Sequence, residues 1–218
     1  MKKLLAFLSI AACALSARAD GLDALELFIK DTRSGRADFT QVVTSPARDG
    51  QAARSRSSSG TFEFVRPGRF RFHYTRPFEQ TIVADGQTLW LHDVDLNQVT
   101  ARAQANALGS TPAALIASAA DLRALQADFV LANAAARDGL QWVVATPRAR
   151  DGQLQAVRVG LREVEHGGRK SAELAALEIV DGFGQRSLLN FSRVQVNLDL
   201  PPETFRFKPP AGADLIRQ

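Results

Sequence analysis

Cysteine is almost missing from this 218-residue chain: the single one, Cys13, sits in an N-terminal stretch that has the form of a leader. Disulfides therefore cannot brace the remainder, and a domain of this size, burying about 70% of its unfolded surface, does not need them. No apolar run after that leader approaches the ~20 residues of a membrane-spanning helix, so the processed chain is expected to be soluble. An excess of one charge is lacking too. Lys and Arg outnumber Asp and Glu by 27 to 23, and without Lys2, Lys3 and Arg18 the balance falls to +1. Near-neutrality, with no basic stripe carrying stacking aromatics, argues against nucleic acid as a partner. Only three histidines occur, His73, His92 and His166, and none has a second ligand at metal spacing. Asp93-Val94-Asp95-Leu96-Asn97 imitates the start of a calcium loop, but Gln98 and Gln104 stand where glycine and glutamate are required, so it reads as a turn. There is no Gly-x-Ser-x-Gly elbow. No metal, no cofactor and no enzymatic activity is expected.

The leader itself is legible. Lys2-Lys3, an apolar stretch from Leu4 to Leu15 and Ala17-Arg18-Ala19 form a secretory signal peptide with cleavage after Ala19, which leaves residues 20–218 as one domain. Ile10-Ala11-Ala12-Cys13 also fits a lipobox, whose use would leave a lipid on Cys13. The two routes lead to a free and to an anchored protein.

What the chain does have is a strongly aromatic alternation. Phe62 and Phe64, then Phe70, Phe72 and Tyr74, then Leu89 and Leu91 each stand two apart. Successive strand side chains point to opposite faces, so these large apolar groups share one face of a sheet while Glu63, Arg69, Arg71 and His73 take the other. Such a face must be covered or used; periodicity alone leaves core and cavity both open. Trp90 is out of phase with its neighbours, which puts it outside or under a cover.

Around that meander, Leu22, Leu25, Phe28 and Ile29 define an amphipathic helix ending near Gly35, and Phe39 to Val43 a first strand. Ser45 to Gly60, rich in Ser and Arg, reads as a polar loop. Gly109-Ser110-Thr111-Pro112 caps a helix over Ala113 to Ala120, and Asp121 caps a second over Leu122 to Gln126. Helices this short are marginal alone and must lean on an apolar surface, for which the sheet is the candidate. Strands are then expected at 129–131, 140–145, 157–161, 174–180, 186–191 and 194–198, separated by Asp138-Gly139, Asp151-Gly152, Gly167-Gly168 and Asp181-Gly182. They describe a curling antiparallel meander that Pro201-Pro202 stops.

Several segments in order resemble the periplasmic outer-membrane lipoprotein carrier proteins of Gram-negative bacteria: Ala37-Asp38-Phe39-Thr40-Gln41, Arg66-Pro67-x-x-Phe70-x-Phe72, Pro77-Phe78-Glu79-Gln80, Val83-Ala84-Asp85-Gly86-x-Thr88-Leu89-Trp90, Leu108-Gly109-Ser110-Thr111-Pro112-Ala113-Ala114-Leu115-Ile116 and Phe205-x-Phe207-x-Pro209-Pro210-x-Gly212. The resemblance implies a mainly β fold, an unclosed antiparallel barrel with short helices covering its apolar concave face. It implies a periplasmic monomer that shelters lipoprotein acyl chains, taking them from an inner-membrane ATP-driven exporter and giving them to an outer-membrane receptor. The cavity would be lined by Phe39, Phe62, Phe64, Phe70, Phe72, Tyr74, Leu89, Leu91 and Trp142. The lid would carry Leu22, Leu25, Phe28, Ile29, Leu115, Ile116 and Leu122. By the same resemblance Arg66 governs lid closure and release, and Phe70 meets the exporter. Phe72 stands where relatives often have tryptophan, and the Ser45 to Gly60 loop looks long for the family. The alternatives are a lipid-anchored receptor of the same fold, which Cys13 would support, and a lipid- or glycolipid-binding paralogue.

Overall fold

The computed structural model describes residues 20–47, 52–105, 116–117, 121–149, 154–166 and 168–218. The leader, the lipobox, Leu115 and most of the expected 113–120 helix lie outside them. Twelve strands form one sheet: β1 (Ser34–Ser45), β2 (Arg54–Val65), β3 (Arg69–Arg76), β4 (Gln80–Ala84), β5 (Thr88–Asp93), β6 (Gln98–Ala103), β7 (Phe129–Arg137), β8 (Leu140–Pro147), β9 (Leu154–His166), β10 (Arg169–Asp181), β11 (Arg186–Val196) and β12 (Asp214–Arg217). Helix α1 covers Gly21–Asp31 and α2 covers Leu122–Asp128. Strand order is β12-β6-β5-β4-β3-β2-β1-β11-β10-β9-β8-β7, so the sheet is unclosed. All neighbours pair antiparallel except β12, which runs parallel to β6 and has no counterpart among the strands the sequence suggests.

The hairpin signals are borne out where they are described. Asp138 and Gly139 adopt φ of 54° and 72°, the left-handed pair that a tight primed turn requires. Asp85 accepts from the backbone N–H groups of Gln87 and Thr88, both at 2.8 Å, and so fixes the β4–β5 turn.

Three expectations fail. Ser45 to Gly60 is not a loop throughout: β2 begins at Arg54, and β1 and β2 stay in register out to the Ser45 and Arg54 pair, with Thr44 Oγ1 and Ser55 Oγ 3.0 Å apart. The run lacks apolar alternation because neither face has a layer over it there, yet backbone pairing carries the hairpin on without a buried face. Residues 186–198 are not two strands either. β11 continues through a register shift opposite Arg36 and Asp38, where Arg193 takes φ 51°. A bulge reverses the side-chain phase, and that reversal mimics a strand boundary. The helix also stops earlier than Gly35, which already belongs to β1.

The concave face holds the main core: Phe39, Phe62, Phe64, Phe70, Phe72 and Leu89 pack with Leu25 and Phe28 of α1, with Ile116 and with Leu125 of α2. Glu63, Arg69, Arg71 and His73 do take the convex face. There Glu63 is buried against Arg36, whose Nη2 lies 2.7 Å from it. The C-terminal segment lies over the same face. Phe205 is buried under the guanidinium of Arg69 at 5.8 Å, and Phe207 meets Trp90 at 5.5 Å. Trp90 is therefore external to the barrel, with its indole Nε1 donating to Asp85 at 2.9 Å.

Candidate functional site

β2 and β3 pair Phe62 with Phe72 and Phe64 with Phe70, so one register sets four rings in two rows. Phe62 stacks on Phe72 at 4.3 Å and on Phe64 at 5.6 Å, while Phe39 of β1 meets Phe72 and Tyr74 edge-on at 5.5 and 4.9 Å. Offset and edge-on contacts are the geometry that ring quadrupoles favour. Leu89 is buried beside this wall, and Tyr74 ends it half-buried. Leu91 is half-buried between Ile82 and Thr100, outside the main cluster. Burial pushes the Tyr74 hydroxyl up to about 12.

Helix α1 fills part of the concavity. Asp20 caps it, accepting from Asp23 N–H at 3.0 Å, and Leu25, Phe28 and Ile29 are buried beneath it with Leu22 half-buried. Gly21 permits the approach: a Cβ there would lie 2.2 Å from the Trp142 carbonyl oxygen, so the start of the helix rests directly on the β8 backbone. Two amides hold its ends. Asn133 of β7 accepts from Leu22 N–H at 2.8 Å, and Asn197 accepts from Arg33 N–H and donates to the Asp31 carbonyl, each at 2.8 Å. These anchors lie more than a hundred residues away in sequence, and no local pattern announces them.

Arg66, in the β2–β3 turn, sits where α1 ends. Its Nε donates to the Ile116 carbonyl at 2.8 Å, and Nη1 donates to the carbonyls of Thr32, Phe28 and Ile29, the last two at 3.4 Å. The guanidinium lies over the rings of Phe28 and Phe64 at 4.6 and 5.3 Å. Its own turn reinforces the link, since Gly68 N–H donates to the Ala117 carbonyl at 2.6 Å. All of these acceptors are neutral, and burial lowers the Arg66 pKa from its ordinary value to about 10. The geometry is a cationic clasp joining the end of α1, the 116–117 cover and the aromatic wall. Leu122 is half-buried and Leu125, which the sequence did not single out, fully so.

One assignment needs correction. Trp142 does not line the concave wall: Val143 and Ala145 point into the main core, so Trp142 faces outward. It packs over Gly160 and under Arg137, whose guanidinium lies 4.2 Å from its ring, in a separate cluster with Leu140, Ala175 and Ala176. Phe70, which the sequence reading also placed on the wall, is fully buried on the inner face. Conversely, Phe191 belongs to the wall, 5.7 Å from Phe62, and its position two after Leu189 was a usable signal.

Residues 30–208 match the family profile described as outer membrane lipoprotein carrier protein LolA. The chain belongs to the LolA family. An outer-membrane lipoprotein carrier protein of Albidiferax ferrireducens is 67% identical over 216 residues, covering 99% of this chain and all of that one. A protein of the same name from Leptothrix cholodnii is 52% identical over 203 residues, covering 93% of this chain and 88% of its own length. Among solved structures, a LolA-superfamily protein of Nitrosomonas europaea overlays with a TM-score of 0.50 at 16% identity, covering 87% of this chain and 99% of that one; it shares the fold. The unclosed sheet with helices on its concave face is thus the LolA-family architecture.

Proposed function

We propose that this chain is a soluble periplasmic carrier whose aromatic concave face takes up the acyl chains of lipoproteins, without catalysis. Each methylene moved from water to an apolar site is worth ~0.8 kcal/mol, so a sixteen-carbon chain represents on the order of 10 kcal/mol. A wall of phenylalanines supplies comparable surroundings, and exchange with a membrane or another carrier then runs near balance. Supporting the reading most directly is the Arg66 clasp, because it ties the cover over that wall with bonds that can be broken without unfolding the sheet. In the closed form the rings pack on α1 and Ile116, so loading needs the cover to move off them. The proposal includes an inner-membrane ATP-driven exporter as donor, an outer-membrane receptor as acceptor, removal of residues 1–19, and a monomer.

The test is mass spectrometry of protein purified from periplasm. A co-purified triacylated peptide is expected; recovery of free phospholipid or glycolipid alone would replace the carrier with a lipid-binding paralogue. N-terminal sequencing of the same sample should read Asp20, and a blocked, lipidated Cys13 would make it an anchored receptor.

A further inference from the structure

The register that stacks the phenylalanines also ends them. Across β3, β4 and β5, Phe70 pairs with Ala84 and Ala84 with Leu89; in the next row Phe72 pairs with Ile82 and Ile82 with Leu91. The third row reads Tyr74, Gln80 and Asp93. Directly paired residues share a face, so the concave surface is apolar for two rows and polar in the one after. Phe39 of β1 packs on Tyr74, and Gln41, two residues further on, extends the polar edge. This row opens into a cleft of about 650 Å³, bounded also by Phe78, Asp95 and Leu96 of the β3–β4 and β5–β6 turns.

Two features of the cleft select a ligand. The Tyr74 hydroxyl has no hydrogen-bond partner among the described residues, although its ring is packed on Phe39 and Phe72. A hydroxyl turned away from water gains by donating to an acceptor brought to it. The second feature is charge: two carboxylates and no cation line the cleft, while Arg54 and Arg56 line a separate one that shares Phe78 with it. An anionic group placed here meets like charge, and apolar surroundings strengthen that repulsion.

We infer that this polar row is a linkage-group subsite: it takes the neutral ester and amide groups that join acyl chains to a lipidated residue, and it rejects the phosphate of a phospholipid. Resting on the carrier reading above, it adds a basis for choosing cargo. Tails laid on the two apolar rows bring an ester carbonyl level with Tyr74, which donates to it. Gln80 offers both a donor and an acceptor to the group beside it. A phosphate in the same position would stand beside Asp93 and Asp95 with no cation to receive it. Phospholipids carry the same tails, so burial of hydrocarbon cannot tell the two apart, and a difference at the linkage group must.

The experiment uses two probes with matched tails: S-dipalmitoylglyceryl-N-acetylcysteine amide, which is neutral, and dipalmitoylphosphatidylglycerol, which is anionic. Delivered from identical micelles at matched ionic strength, each displaces the apolar dye 1-N-phenylnaphthylamine from the purified protein. The neutral probe is expected to bind roughly tenfold tighter. In the double variant Asp93→Asn, Asp95→Asn, the side chain at 93 can still accept from Leu96 N–H, as Asp93 does at 3.0 Å. There the anionic probe should gain and the ratio fall about threefold or more. Tyr74→Phe should weaken the neutral probe about threefold or more relative to the dye, the worth of one hydrogen bond. An unchanged ratio in the double variant, or a Tyr74→Phe loss shared equally by the dye, would overturn the inference. If neither probe displaces the dye, the carrier reading fails; if both do so equally, that reading stands and only the subsite falls.

Discussion

The Nε of Arg66 and the carbonyl oxygen of Ile116, fifty residues apart, lie 2.8 Å from each other. That bond joins the rigid β2–β3 turn to the cover, while the same guanidinium grips the last carbonyls of α1. A helix C-terminus carries partial negative charge, so the cation is well placed for both duties.

Arg66→Leu should therefore shift the balance toward the open form. The closed form loses a charge-assisted bond worth about 1.5–3 kcal/mol, whereas a loaded, open form has no cover at Ile116 to lose. Cargo that competes with closure is then held more tightly, by roughly 10- to 100-fold. Transfer of a triacylated peptide to acceptor vesicles should slow accordingly. Unchanged transfer would remove Arg66 from the release step.

How much of this was readable beforehand follows from the range of each interaction. The Phe62, Phe64, Phe70 and Phe72 wall was legible because strand alternation is local and the register between β2 and β3 is set by a short turn. The hairpin at Asp138-Gly139 was legible for the same reason. The Ser45 to Gly60 region misled because polarity marks exposure and says nothing about backbone pairing. Trp142 was misplaced because both faces of β8 are buried, which erases the alternation that tells inside from outside. Asn133 and Asn197 depend on contacts between distant segments, and no spacing rule reaches them.

Tyr74 and Arg66 pull alkaline stability in opposite directions. Tyr74 is raised to about 12 in the fold, so an unfolded chain sheds this proton first, near 10, and its contribution is lost as pH climbs from 10 to 12. Arg66 is lowered to about 10, so above that pH the unfolded chain, with its ordinary higher guanidinium pKa, holds the extra proton and stability rises. The whole protein thus masks both. Comparing urea unfolding of wild type and Tyr74→Phe at pH 9 and pH 11.5 isolates the first: the variant should gain about 1–2 kcal/mol relative to wild type across that interval, discounted because the ring is only half-buried. No relative change would mean the hydroxyl sits in water.

Gly60→Ala should be severe for a single methyl. The added Cβ would stand 2.0 Å from the carbonyl oxygen of His73, and backbone cannot swing aside as a side chain can. The β2–β3 ladder already shifts register between Ser59 and Gly60, so the strain would be relieved by sliding the pair that carries the aromatic rows. A loss of about 2–4 kcal/mol in urea unfolding is expected, of the order seen for other forced steric clashes. A Tm within a degree or two of wild type would show that the strands part here without cost.

Phe62→Ala and Trp142→Leu together test which face meets hydrocarbon. Both side chains are buried, so both substitutions destabilise: about 3–5 kcal/mol for Phe62, with its stack on Phe72 at 4.3 Å, and about 1–3 kcal/mol for the less drastic Trp142 change. Stability alone cannot separate them. Affinity can, because Phe62 lies under the cover and Trp142 lies on the convex side beneath Arg137. Measured at a temperature where both remain folded, binding of a triacylated peptide should weaken at least fivefold in Phe62→Ala and stay within twofold in Trp142→Leu. The reverse pattern would put the acyl chains on the outer face, and a clasp at Ile116 would then have nothing to guard.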